Sequence, residues 1–154
     1  MSNSLLAETY QERRSTSWHG NVPWRYGNLL EPLSPRRFTA DLENLKSGLE
    51  FKLGRCYDAC LVNYYEDSDV GMNWHSDPDQ RCNSEAPLFG DETTVVSRGT
   101  PACMKFRRRD RSFNFEIFVF HGDGVSMVED CQVLLEHGVE GYGERLSYVF
   151  KGEL

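Results

Sequence analysis

The chain is 154 residues long, enough for one domain with a buried core, and its nine Phe, seven Tyr and three Trp suit a sheet-rich fold. A formal net charge of −7 excludes a generally basic polyanion binder, so contact with nucleic acid requires a local basic patch. No apolar run approaches a membrane span and Met1 to Arg14 is polar rather than a signal peptide, so the expectation is a soluble monomer with no membrane partner, cytoplasmic or, in a eukaryote, also nuclear.

Residues 1–33 read as an N-terminal extension: a polar start, then Trp18-His19-Gly20 and Pro23-Trp24-Arg25-Tyr26-Gly27 as an aromatic loop or short strand. Ser34-Pro35 predicts a helix start, with Ser as N-cap and Pro at the first helical position. Phe38, Leu42, Leu45 and Leu49 recur at helical spacing and Gly54 ends the pattern, giving a helix over 34–53. From residue 56 the period becomes two. Strands are expected at 58–65, 70–75, 93–98, 101–107, 113–120, 124–128, 132–137 and 144–151, separated by turn signals such as Arg98-Gly99-Thr100-Pro101 and Gly122-Asp123-Gly124. One helix and about eight short strands predict a mainly β, α+β fold: a jelly-roll (double-stranded β-helix) core over 56–151 with the helix on an outer face. Repeats and domain boundaries are missing from the sequence, so 1–154 reads as a single domain. The five cysteines, at 56, 60, 82, 103 and 131, are odd in number and form no CxxC. Reduced thiols are the expectation, ahead of a Cys56–Cys60 pair or a metal role.

His75-Ser76-Asp77 carries the chemistry. Residues two apart on an extended segment point the same way, so this stretch offers two ligands to one ion. The third ligand comes from His19, His121 or His137. His121 reads as a strand-end turn residue and His19 lies in the aromatic loop, which leaves His137. Two imidazoles and a carboxylate form the facial ligand set of non-haem Fe(II), with positions left open. Zinc accepts the same donors, and an HxD triplet alone is common by chance. In Glu144–Lys151, alternation puts Arg145, Ser147, Val149 and Lys151 on one face and Leu146, Tyr148 and Phe150 on the other. The apolar face is expected in the core between the sheets. Two cations on the other face suit a dicarboxylate; the plain alternative is an edge strand with solvated charges. Asn63 and Tyr65 share a strand face and offer an amide and a phenol.

Several segments together resemble the AlkB family of Fe(II)- and 2-oxoglutarate-dependent dioxygenases, over most of the chain from about Asp58 to Lys151. They are Leu61–Asp67, Gly71–Asp77, Val95–Thr100 through Met104–Arg107, His121–Met127 and Gln132–Val139. The resemblance implies Fe(II) on His75, Asp77 and His137, with 2-oxoglutarate and O2 as co-substrates. It implies Arg145 on the distal carboxylate of 2-oxoglutarate, Asn63 and Tyr65 on its oxygens, and Ser147 and Lys151 completing the site. The family signature Arg-x-Asn-x-Thr-x-Arg reads here Arg145-x-Ser147-x-Val149-x-Lys151, and lysine keeps the charge but loses the planar fork. The implied reaction is oxidative demethylation of N-alkylated bases, of the 1-methyladenine and 3-methylcytosine type, in single-stranded DNA or RNA. Formaldehyde, succinate and CO2 are released.

By the same resemblance Asp79 matches a base-reading position. Trp18, Trp24 or Tyr26 could stack on a base, and Trp74 is a further candidate substrate contact. Lys105–Arg111, with Arg107 and Arg108, carries five cations in seven residues that could touch phosphates. Only about thirty residues precede the helix, fewer than the family's usual lid, so a more open pocket is expected. Hydroxylation of a small molecule or protein side chain is the competing activity, and an inactive binding module on the same fold is the third reading.

Overall fold

The structure, a computed structural model, describes residues 14–24, 33–67, 71–77 and 92–152. Its elements run β1 (Ser15–His19), α1 (Ala40–Leu53), β2 (Tyr57–Tyr65), β3 (Met72–His75), β4 (Thr93–Gly99), β5 (Ala102–Arg108), β6 (Asn114–Val119), β7 (Gly124–Met127), α2 (Cys131–Leu134), β8 (Leu135–Gly141) and β9 (Arg145–Gly152). No helix among the described residues is long and apolar enough to cross a membrane.

The strands nest. β5 pairs with β6, β4 with β7, β3 with β8 and β2 with β9, all antiparallel, as one long hairpin would. Rolling that hairpin adds the β4–β9 and β5–β8 pairs. The result is a five-stranded sheet, β1-β2-β9-β4-β7, facing a four-stranded sheet, β3-β8-β5-β6. This is the expected jelly roll, with β2 to β9 as its eight strands. β1, from the aromatic stretch, is added on the edge of β2.

Three hydrophobic clusters hold it together. Ala102, Met104, Phe106, Val119 and Met127 fill the space between the sheets. Trp18, Trp24, Ala59 and Leu61 close one side. Leu42 of the helix packs onto Tyr57, Cys60, Val96 and Phe150 on the outer face of the five-stranded sheet.

Four expectations are corrected. The helix begins at Ala40, not residue 34: Thr39 is the N-cap, its hydroxyl accepting from Leu42 N at 3.3 Å. The preceding residues are held extended instead, because Leu33 bridges Trp24 and Arg36 bridges His19, with Arg36 N donating to Trp18 O. Those tertiary bonds outweigh the Ser-Pro start signal. Gly54 ends the helix as expected, at φ 66 with its N–H on Glu50 O.

The strand expected over 132–137 is instead a helical turn, α2, followed by β8 from Leu135; a short apolar run does not reveal its period. The apolar face of β9 does not point between the sheets. Phe150 packs toward the helix, while Arg145, Ser147, Val149 and Lys151 line the interior. Finally, β9 is no edge strand, since it lies between β2 and β4.

Candidate metal centre and co-substrate cavity

His75 closes β3 directly opposite His137 in β8. Met72 pairs with Val139, so β3 spends three steps where β8 spends two, and the register slips. This bulge lets both Met72 and His75 face the interior. Gly138 permits it: a Cβ there would meet Met72 O at 3.1 Å. The ligand atoms of His75, Asp77 and His137 consequently lie within 4.8 Å of one another.

Each ligand is held by a further contact. His75 Nδ1 lies 2.7 Å from Asn73 O; it must donate there, which leaves Nε2 bare for a metal. That Nε2 is 3.7 Å from Asp77 Oδ1. The other carboxylate oxygen, Oδ2, accepts from Lys151 Nζ at 2.5 Å, and Lys151 is also 3.3 Å from Thr93 Oγ1. The Asp77 N–H donates to Gln132 Oε1. Ser76 Oγ donates to Leu135 O and accepts from Arg109.

Electrostatics set the protonation states. Burial, then His75 and Lys151, push the His137 imidazolium down to about 3 against the pull of Asp77. Burial works to raise the Asp77 carboxyl, but Lys151, His137 and His75 together bring it well below the usual carboxylate range. Neutral imidazole and ionised carboxylate are the forms that bind a divalent transition metal.

From this centre a cavity of about 250 Å³ runs between the sheets. β2 contributes Asn63 and Tyr65, and β9 contributes Arg145 and Ser147. Cross-strand register explains the contacts: Asn63 is opposite Ser147 and Tyr65 opposite Arg145. Asn63 Nδ2 donates to Ser147 Oγ at 3.3 Å, and the guanidinium lies 4.5 Å over the Tyr65 ring.

Arg145 is almost fully buried, and its Nε and Nη1 have no partner, nor does Asn63 Oδ1. Burial lowers the Arg145 pKa, opposed by Tyr65. A buried guanidinium with unused donors is costly unless an anion completes it. The cavity therefore fits a small carboxylate at its Arg145 end. Met72, Met104, Met127 and Leu61 supply apolar walls.

The remaining candidates divide. Lys151 lines the cavity, but its ammonium is engaged with Asp77 and Thr93 rather than standing beside Arg145 as a second anchor. Trp24 lines it too, stacked at 4.6 Å on Trp18. Trp74 does not line it; Arg107 covers its ring at 4.2 Å and pairs with Glu136. Arg108 is exposed. Tyr26 and Asp79 lie outside the described residues, as does Cys82. Cys56, Cys60, Cys103 and Cys131 are free.

His121 accepts from Gly99 N, away from the triad, and His19 is bonded to Ser17 and Arg37 O. Sequence reasoning missed Gln132, Ser76, Arg109 and Thr93. A buried glutamine in an apolar stretch was the one available signal.

The family model of the 2OG-Fe(II) oxygenase superfamily matches residues 3–145. Among curated proteins the chain is 32% identical over 130 residues to the human alpha-ketoglutarate-dependent dioxygenase alkB homolog 3, covering 84% of this chain and 41% of that protein. For the rat protein of that name the identity is 28%, covering 84% and 40%. The chain thus spans about 40% of the length of these relatives. An uncharacterized protein of Acanthamoeba polyphaga mimivirus is 24% identical over 157 residues, covering 96% of this chain and 79% of that one. Among solved structures, OsALKBH1 superposes with a TM-score of 0.63 at 15% identity, covering 90% of this chain and 78% of the other, which shows a shared fold.

Proposed function

The chain belongs to the 2OG-Fe(II) oxygenase superfamily as an AlkB-like member, and on that premise we propose that it oxidatively demethylates N-alkylated bases in single-stranded DNA or RNA. Fe(II), 2-oxoglutarate and O2 are the family's cofactor and co-substrates. One observation carries the reading: the His75, Asp77 and His137 cluster opens onto the same cavity as a buried guanidinium with unused donors.

When bound, the iron with 2-oxoglutarate and O2 supplies oxidation of an N-methyl carbon, with succinate, CO2 and finally formaldehyde released. The chain's own residues do the rest. His75 and His137 hold the metal as neutral imidazoles, and the Asn73 carbonyl fixes the His75 ring. Lys151 restrains the Asp77 oxygen that points away from His75. Arg145 binds the far carboxylate, while Asn63, Tyr65 and Ser147 orient it by hydrogen bonds. The methionine-rich wall excludes water. The target base must leave its stack, which costs least in a single strand, and the basic turn at 107–111 supports contact with phosphates.

The test is a coupled assay. Incubation with Fe(II), ascorbate and 2-oxoglutarate plus short oligonucleotides carrying 1-methyladenine or 3-methylcytosine should release succinate and remove the methyl mass in equal amounts. Succinate release without any change in the oligonucleotide would shift the activity to hydroxylation of a small molecule or protein side chain. Absence of 2-oxoglutarate and metal binding would favour an inactive module.

A further inference from the structure

Resting on that demethylase reading, we propose that the inner face of edge strand β6 and the turn before it form the track for the flanking nucleic acid, with Phe113 and Phe115 stacking on neighbouring bases and Arg108 and Arg111 pairing with the phosphates.

Four rings run in contact from the metal centre to the surface. His137 lies 5.9 Å from Phe106. Phe106 stacks on Phe115 at 4.8 Å with the planes 7° apart, and Phe115 lies 5.7 Å from Phe113. The inner members are buried, while Phe115 is 36% and Phe113 55% exposed. Register accounts for the row: Phe106 sits opposite His137 on one side and opposite Phe115 on the other. Adjacent exposed aromatics, joined through buried Phe106 to the cavity-lining His137, mark an interaction surface rather than a packing accident. Stacking on such faces is how single strands are held without sequence preference.

The charge beside the row selects a polyanion. In a chain of net charge −7, positions 107–111 hold four arginines. Arg107 is taken by Glu136 and Arg109 by Ser76, Val133 O and Gln132 O. The exposed guanidinia of Arg108 and Arg111 are in no hydrogen bond or salt bridge among the described residues, although Arg108 lies near enough to the Asp110 carboxylate to lower its pKa. The one carboxylate of the turn, Asp110, is turned back onto Ser112 N and Oγ.

The turn is also preformed. Arg111 holds φ 62, a left-handed conformation uncommon for a side chain of its size. It is fixed there by its N–H on Arg108 O, while Arg108 N donates to Phe113 O. A platform rigid before binding loses little entropy on binding.

Affinity of the full chain for unmodified single-stranded decamers, read by fluorescence anisotropy across a salt series, tests this together with demethylation of methylated decamers and trinucleotides. Phe113→Ser should weaken decamer binding roughly tenfold, the loss expected for one stacked base. The double variant Arg108→Gln/Arg111→Gln, on an exposed turn where folding is not at stake, should flatten the salt dependence by about 1.4 logarithmic units per decade. In both, the turnover defect should grow with substrate length. Phe118→Ser is the control, since Phe118 is 54% exposed but on the opposite face of β6, and it should leave decamer binding intact.

Wild-type affinity in both track variants, or an equal loss in the Phe118 control, overturns the proposal while leaving the demethylase reading in place. A dimer abolished by Phe113→Ser without change in oligonucleotide binding assigns the face to a second copy and overturns it equally. A wild-type chain that makes succinate yet neither binds nor demethylates any oligonucleotide removes the reading underneath.

Discussion

Arg145 shows at one residue how function and stability oppose each other. Its guanidinium is almost fully buried between the sheets with Nε and Nη1 unpartnered. Desolvating a cation without completing its hydrogen bonds costs several kcal/mol. The apolar change Arg145→Met should therefore raise the melting temperature of the metal-free protein, by a few degrees for a gain of about 1 kcal/mol. The same variant should lose the thermal shift that 2-oxoglutarate gives the wild type, with KM for 2-oxoglutarate rising roughly a hundredfold, the worth of a charged hydrogen-bond pair. A lower melting temperature in Arg145→Met would mean that the guanidinium is already satisfied.

Lys151 behaves in the opposite sense. Fully buried and bonded to Asp77, it neutralises a carboxylate that would otherwise face two imidazoles alone. Lys151→Met should destabilise the protein by roughly 2 kcal/mol, below the cost of breaking a fully buried pair because Asp77 keeps some solvent contact. Urea denaturation checks this, and an unchanged midpoint would remove the pair from the account.

At the scale of elements, the pairing of β3 with β8 builds the metal centre, and Gly138 is the point at which it can be broken. A methyl group there meets the carbonyl oxygen of the bulge at 3.1 Å. Gly138→Ala should shift β3 from β8 by a few tenths of an ångström and so disturb the approach of His75 to His137. The expected result is a 10- to 100-fold loss of metal affinity, as for other supporting contacts around a ligand, against a stability cost of about 1–3 kcal/mol. Titration with Mn(II) followed by calorimetry distinguishes the two; equal metal affinity in variant and wild type would show that β3 yields without consequence.

The same elements show what the sequence could and could not disclose. The two-residue spacing of His75 and Asp77 and the alternation of β9 were legible because each is local. Which face of β9 points inward was not, since it depends on a helix about a hundred residues earlier covering Phe150. The helix start was misread because Leu33 and Arg36 are claimed by β1 and its loop. Gln132 and Arg109 act on the 75–77 segment through hydrogen bonds to Asp77 N and Ser76 Oγ from 55 and 33 residues away, and no periodicity announces such contacts.

Over the whole molecule, the metal centre ties folding to pH. His137 titrates near 3 when folded, against an ordinary value near 6.5. Between those limits the unfolded chain binds a proton that the folded chain refuses, so stability falls as pH drops through about 6.5 toward 3. Asp77 adds to this lower down. Its folded pKa is depressed, so its contribution is present above the unfolded carboxylate value near 3.9 and is lost as pH falls below it. Both groups act in one direction, and the decline begins in the histidine range rather than the carboxylate range.

Melting temperature of the metal-free protein should therefore fall already between pH 7 and 5. His137→Phe, which removes the titrating ring from the cavity wall, should flatten that part of the curve while keeping the steeper loss below pH 4. Saturating Mn(II) should raise the whole wild-type curve, by an increment that grows with the ratio of metal to dissociation constant. A wild-type curve flat from pH 7 to 5 would contradict a buried neutral His137, and with it the electrostatic basis on which the three ligands stand ready for a dication.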